Sequence, residues 1–190
     1  QKKGRTKQSV PLRKKIKKMA YQKLQVSDGL VVIPSNNVDI PDPSTIVILN
    51  KTTGSDVGVA DFSGANTLTG TGLADLGIQV GAIVYNTTAQ TAYYVDSVDS
   101  ATQLTLSGDG VGGATDTFFI YNGSSNGNIL YVGGAGDVTL RLATYKGNKF
   151  GGSTNSKLTF SNLPNASFMP TQVVRVLVTN TTATNIIALF

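Results

Sequence analysis

The sequence predicts an all-β protein: a small antiparallel β-sandwich or barrel with an inserted second β module and a basic N-terminal arm. Three observations predict it. Short runs alternating apolar and polar residues recur along the chain, separated by Gly, Asn, Ser and Pro. A period of two marks half-buried strands, because successive side chains leave opposite faces of a pleated ribbon. All eleven acids are Asp and none is Glu, although Glu is the acid that helices favour. Charge is segregated: residues 1–23 hold ten of the sixteen Lys and Arg and no acid, whereas residues 24–190 hold six bases against eleven Asp. A mildly acidic β body therefore carries a strongly basic arm.

In the arm, Leu12, Ile16 and Met19 recur at helical spacing, Ser9 is a capping candidate and Pro11 suits a first helical turn. A short basic amphipathic helix through Lys23 is expected, marginal by itself in water. A run of this kind is either a solvated arm or one that lies on an acidic partner surface or on nucleic acid. With one aromatic, Tyr21, and no recognisable module, sequence-specific nucleic-acid readout is not expected. Met19-Ala20-Tyr21 also reads as a natural start, which would make part of the arm a translated leader.

Residues 24–45 form the first part of the main domain. Ser27-Asp28-Gly29 signals a turn and 30–33 a short strand, and Pro34, Pro41 and Pro43 keep the chain extended. This stretch reads as a surface-hugging connector or as a segment locking onto a neighbouring subunit. Residues 46–126 read as the inserted module, with strand candidates at 46–49, 80–86 and 92–98, at Leu104 and Leu106, and in the aromatic run Phe118 to Tyr121. Residues 66–72 are a turn-rich linker or edge strand, and the polar run at 122–128 returns to the main domain. An insertion at a surface loop costs the host fold little when its ends lie close.

Residues 127–190 complete the main domain. Val138, Leu140 and Leu142 share one face, as do Leu158 and Phe160. Val174, Val176 and Val178 alternate with Val173, Arg175 and Leu177, and Ile186, Ala188 and Phe190 end the chain on an apolar face. Several such strands with turn residues between them suggest a sandwich or small barrel.

The same residues carry a resemblance. Leu130-Tyr131-Val132-Gly133-Gly134-Ala135-Gly136-Asp137-Val138, then Leu158-Thr159-Phe160-Ser161-Asn162-Leu163-Pro164, then Phe168-Met169-Pro170 with Val173-Val174-Arg175-Val176, and finally Thr181 to Phe190 (TTATNIIALF) follow one another in the chain. This order resembles the spike base protein family of gene transfer agents and tailed phages. Val32-Ile33-Pro34-Ser35-Asn36-Asn37-Val38-Asp39-Ile40-Pro41 is similar to the segment that stands just before the first of these strands in that family, displaced upstream by the insert. The resemblance implies a phage virion structural protein bound to the capsid exterior, as a cement or decoration protein or as a head-spike base. The implied partners are the major capsid protein, further copies of this chain in a symmetric trimer or pentamer, and a spike fibre. The implied location is the virion surface, after synthesis in the host cytoplasm. Arg13, Lys14, Lys15, Lys17 and Lys18 would then be the capsid-binding arm.

The residues themselves offer little for catalysis. There is no His and no Cys, so soft-metal sites, thiol chemistry and disulfides are excluded, as is a His-based nucleophile. Asp96, Asp99, Asp109 and Asp116 are carboxylates beside Gly, Ser and Thr, where Asp usually bonds its own backbone. Gly133-Gly134-Ala135-Gly136-Asp137 is similar to a calcium-binding nonapeptide repeat, but it lacks the residue between the last Gly and Asp and occurs once. It reads as a tight turn entering a strand. No Gly-rich phosphate loop is present, and five Asn-x-Ser/Thr triplets are expected by chance in this composition. No apolar run is long enough to span a bilayer as a helix. No cofactor, metal or enzymatic activity is expected. The alternative to a capsid role is a receptor- or glycan-binding virion appendage, with Tyr93 and Tyr94 as stacking candidates; tyrosines alternating in a strand more often pack within the sheet.

Overall fold

Twelve strands form two antiparallel six-stranded sheets in the computed structural model, which describes residues 26–48, 66–70, 73–108, 113, 116–143 and 157–190. The first sheet comprises β1 (Gly29–Val31), β8 (Asn128–Gly134), β9 (Gly136–Leu142), β10 (Leu158–Leu163), β11 (Ser167–Val176) and β12 (Thr184–Leu189), in the order β1-β12-β8-β11-β9-β10. The second comprises β2 (Ile46–Ile48), β3 (Thr67–Thr69), β4 (Ile83–Asn86), β5 (Thr91–Ser100), β6 (Gln103–Leu106) and β7 (Phe118–Tyr121), in the order β2-β7-β4-β5-β6-β3. Only two short 3-10 turns, Pro43–Thr45 and Leu73–Leu76, interrupt the all-β pattern among the described residues.

Register shows how alternation builds the first core. Leu30, Ala188, Leu130 and Met169 lie opposite one another across β1, β12, β8 and β11, and all four join one apolar cluster. Val132, Val138, Leu140 and Ile186 complete it, and Phe160 and Phe190 pack against its margin. Each fully buried Val or Leu contributes about 1.5–3 kcal/mol by leaving water. Of the C-terminal apolar run, Ile186 and Ala188 are thus buried in the chain's own sheet. The second sheet buries Leu68, Leu73, Val84, Val95, Leu104, Leu106 and Ile120 in a separate cluster.

Two strands depart from strict alternation. In β11 the pairing with β9 shifts between Val173 and Arg175, so Val173 and Val176 share the core and Val178 is exposed. In β5 the register shifts between Val95 and Ser97, which sets Val95 and Val98 on one side. An extra residue on one strand of a pair breaks the period of two locally. Leu158 is exposed because β10 is the edge strand of the first sheet. Pro43, expected in extended chain, opens the 3-10 turn, where Asp42 caps by accepting the Ser44 N–H at 2.9 Å.

The stretch from Val32 to Pro41 is not a surface-hugging connector. It runs between the chain's own two sheets, and Ile33, Val38 and Ile40 are buried. Its Ser35 and Ile40 N–H groups donate to the Val176 and Val174 carbonyls at 2.9 and 2.8 Å. It thereby continues along the edge of β11 beyond Val173, where pairing with β8 ends. Val32 and Ile40 enter the first core, whereas Ile33 and Val38 pack on Ile83, Tyr85 and Tyr121 of the second sheet.

Candidate functional site

Arg141 on β9 and Arg175 on β11 are directly paired across the first sheet. Like charges opposite one another on neighbouring strands destabilise a sheet unless an anion lies between them. Asp39 supplies that anion from the connecting stretch. Its Oδ2 accepts Arg141 Nη2 and its Oδ1 accepts Arg175 Nε, both at 2.7 Å. Asp39 N–H donates to the Tyr94 hydroxyl oxygen on β5 at 3.0 Å, so one residue joins both sheets. Arg175 Nη1 also donates to the Asn36 carbonyl at 2.8 Å, and Asn36 Oδ1 accepts the Thr179 N–H at 3.2 Å. The Ser35 hydroxyl accepts the Val38 N–H at 3.1 Å and holds the turn that aims Asp39.

Beside this junction lies a depression of about 250 Å³ lined by Asn36, Asn37, Arg141, Lys157, Arg175 and Thr179, with Leu177 as its apolar contribution. Arg141, Lys157 and Arg175 are all the Lys and Arg of the described residues, and all three line this one concavity. Asp39 neutralises one charge, which leaves, among the described residues, a formal excess of two positive charges at the hollow on a body otherwise rich in Asp.

The outward face of the first sheet carries a second feature. Val31, Ile187, Tyr131 and Phe168 lie opposite one another across β1, β12, β8 and β11, on the face away from the core. Val31 is 62% and Phe168 66% exposed, and the Tyr131 and Phe168 rings meet at 5.1 Å. Leu189 and Ile129 form the next row on the same face. A contiguous apolar row on a sheet face is a feature of surfaces that meet a partner.

The residues singled out by sequence fall elsewhere. Arg13, Lys14, Lys15, Lys17 and Lys18, and the amphipathic helix expected around them, lie outside the described residues. Tyr93 and Tyr94 do not form a stacking platform: they point to opposite faces of β5, Tyr93 into the core of the second sheet and Tyr94 towards Asp39. Asp137 Oδ1 accepts the Asn162 N–H at 2.7 Å, and its carbonyl accepts the Thr182 and Ala183 N–H groups, so it fastens the turn between β8 and β9 to β10 and to the loop before β12. Asp99 accepts the Ser97 and Thr105 hydroxyls at 2.5 and 2.7 Å, which hold its carboxyl below its usual range. Asp116 accepts Asn86 Nδ2 at 2.8 Å, and Asp96 is exposed. Asp109 lies outside the described residues. Among the described residues no group of three His, Cys, Asp or Glu could hold a metal ion, and no helix is long and apolar enough to cross a membrane.

Sequence reasoning did not single out the Asp39 junction, whose partners stand 102 and 136 residues from Asp39. The one available signal was the scarcity of Lys and Arg beyond the arm, which makes each of them conspicuous. Compared with protein-family models, with curated proteins and with solved structures, the chain has no match.

Proposed function

We propose that this chain is a structural component of a tailed-phage virion, bound to the capsid exterior as a cement or decoration protein or as a head-spike base. It works by protein–protein assembly and not by catalysis. The observation that carries the reading is the outward apolar row Val31, Ile187, Tyr131 and Phe168 on the first sheet. A second copy of the chain in a symmetric oligomer, or the capsid surface, would cover it. The segments that resemble spike base proteins supply both this face and the core behind it: Leu130 to Val138 spans β8 and the start of β9, and Phe168 to Val176 lies in β11. Among the described residues β1, β10, β2 and β3 are edge strands, which offer further pairing surface that an assembled state would protect. The basic arm adds a charge-led contact to the major capsid protein, one that weakens as salt rises.

Copy number in purified virions, measured by quantitative mass spectrometry against the major capsid protein, tests the proposal. A few copies per vertex support a spike base, and copies approaching the number of capsid subunits support a cement protein. Absence from the particle overturns the reading.

A further inference from the structure

The depression beside Asp39 has no part in the assembly reading, and its chemistry is specific. We infer that it is a binding site for the carboxylate of an acidic sugar, such as a hexuronate unit of a polysaccharide. The inference stands whether or not the chain is a virion component.

Four observations lead there. Every Lys and Arg of the described residues converges on this concavity, although eight Asp are spread over the same residues. Chance placement of three cations on an acidic body does not favour one small hollow, and like charges brought together raise the energy of the unliganded fold. The two guanidinium groups already hold one carboxylate, that of Asp39, through Arg141 Nη2 and Arg175 Nε. Each keeps further N–H donors beyond those bonds, since a guanidinium carries five, and Lys157 has no ion pair among the described residues. A second carboxylate is the complementary ligand for what remains.

Size and lining narrow the class. About 250 Å³ is close to the lower end of ordinary small-ligand sites, roughly 300 Å³, and suits a single sugar unit. Asn36, Asn37 and Thr179 surround the cations with amide and hydroxyl groups, which both donate to and accept from sugar hydroxyls. Among the described residues that line the hollow none is aromatic, and the groups they present are ionic and hydrogen-bonding. The wall is set in advance: Arg175 is tied to the Asn36 carbonyl and Asn36 to the Thr179 N–H, so little ordering is left for the ligand to impose. An acidic side chain of a protein partner offers the same carboxylate, but a half-enclosed polar hollow rimmed by amides fits a sugar better than a flat protein surface.

The test is calorimetric titration of the full chain with a glucuronate-containing oligosaccharide, with its methyl ester, with inorganic phosphate and with an Asp-rich peptide. The expected result is saturable binding of the glucuronate form with a Kd of about a millimolar or tighter. The methyl ester, which keeps the hydroxyls and loses the charge, should bind at least about tenfold more weakly, a difference of roughly 1.4 kcal/mol. Arg141→Gln and Lys157→Gln should each weaken glucuronate binding by about tenfold or more. Both retain the basic arm, so loss of affinity in them separates the hollow from non-specific attraction to residues 1–23. Arg141→Gln leaves the Asp39–Arg175 pair intact, and Lys157 is exposed, so both variants should fold. No saturable glucuronate binding, equal binding of the ester, unchanged binding in both variants, or tighter binding of phosphate or of the Asp-rich peptide would each overturn the inference.

Discussion

Replacing Asp39 by Asn keeps the shape of the side chain and removes its charge, and the structure sets the size of the effect. Asp39 is 14% exposed and accepts two charge-assisted hydrogen bonds of 2.7 Å. Such bonds contribute about 1.5–3 kcal/mol each. The Arg175 bond belongs in that range, because Arg175 is also 14% exposed, whereas Arg141 at 36% regains part of its hydration and its share is smaller. Asn retains one acceptor oxygen, which preserves a weaker bond from one Arg to an uncharged acceptor. Against that, the directly paired Arg141 and Arg175 are left facing each other without a counter-charge. The net expectation is a loss of about 3 kcal/mol, or about 6–12 °C in Tm for a chain of this length. Urea denaturation at neutral pH measures it, and an unchanged m value would show that the fold is retained. The Arg175→Gln variant and the double variant complete a cycle in which the coupling should be about 2 kcal/mol. A loss below about 1 kcal/mol, or additive effects in the cycle, would refute the claim that the Asp39 carboxylate holds the paired arginines together.

Phe168→Asp should change stability by no more than about 0.5–1 kcal/mol, because the ring is largely exposed. It should nevertheless dissociate any oligomer seen by light scattering; an unchanged mass would move the assembly surface elsewhere. Gly136→Ala should destabilise by roughly 2–3 kcal/mol, since φ is +149° there and a Cβ would stand 2.6 Å from the Ala183 nitrogen. Thermal melting checks it, and a neutral result would mean that the turn between β8 and β9 is adaptable. Stability should fall as pH rises above 10. Burial, with Asp28 nearby, pushes the Tyr121 hydroxyl from 10 up to about 12, so it ionises in the unfolded chain before the folded one. Burial also raises Tyr85. Urea midpoints measured upward from neutral pH should show the decline, and Tyr121→Phe should make it shallower.

The residues beyond the arm determined the class of fold and most strand positions, because alternation is a local property and the core sits on one side of each ribbon. Leu104 with Leu106, Val138 with Leu140, and Ile186 with Ala188 are buried as their spacing requires. Alternation could not reveal the register shifts in β11 and β5, because the extra residue of a bulge is apparent only against its partner strand. It could not separate Tyr93 from Tyr94 either: adjacent residues look alike in sequence, and the sheet sends one to the core and the other to Asp39. The candidate site depended wholly on tertiary structure. Asp39, Arg141, Lys157 and Arg175 are unremarkable where they stand in the chain. Antiparallel pairing of β9 with β11 sets the two arginines side by side, and the connecting stretch between the sheets brings Asp39 to them. Composition determined that cations would be scarce on this body. Only the fold determined that those of the described residues would meet in one place, because strand order and register are long-range properties that no local pattern encodes.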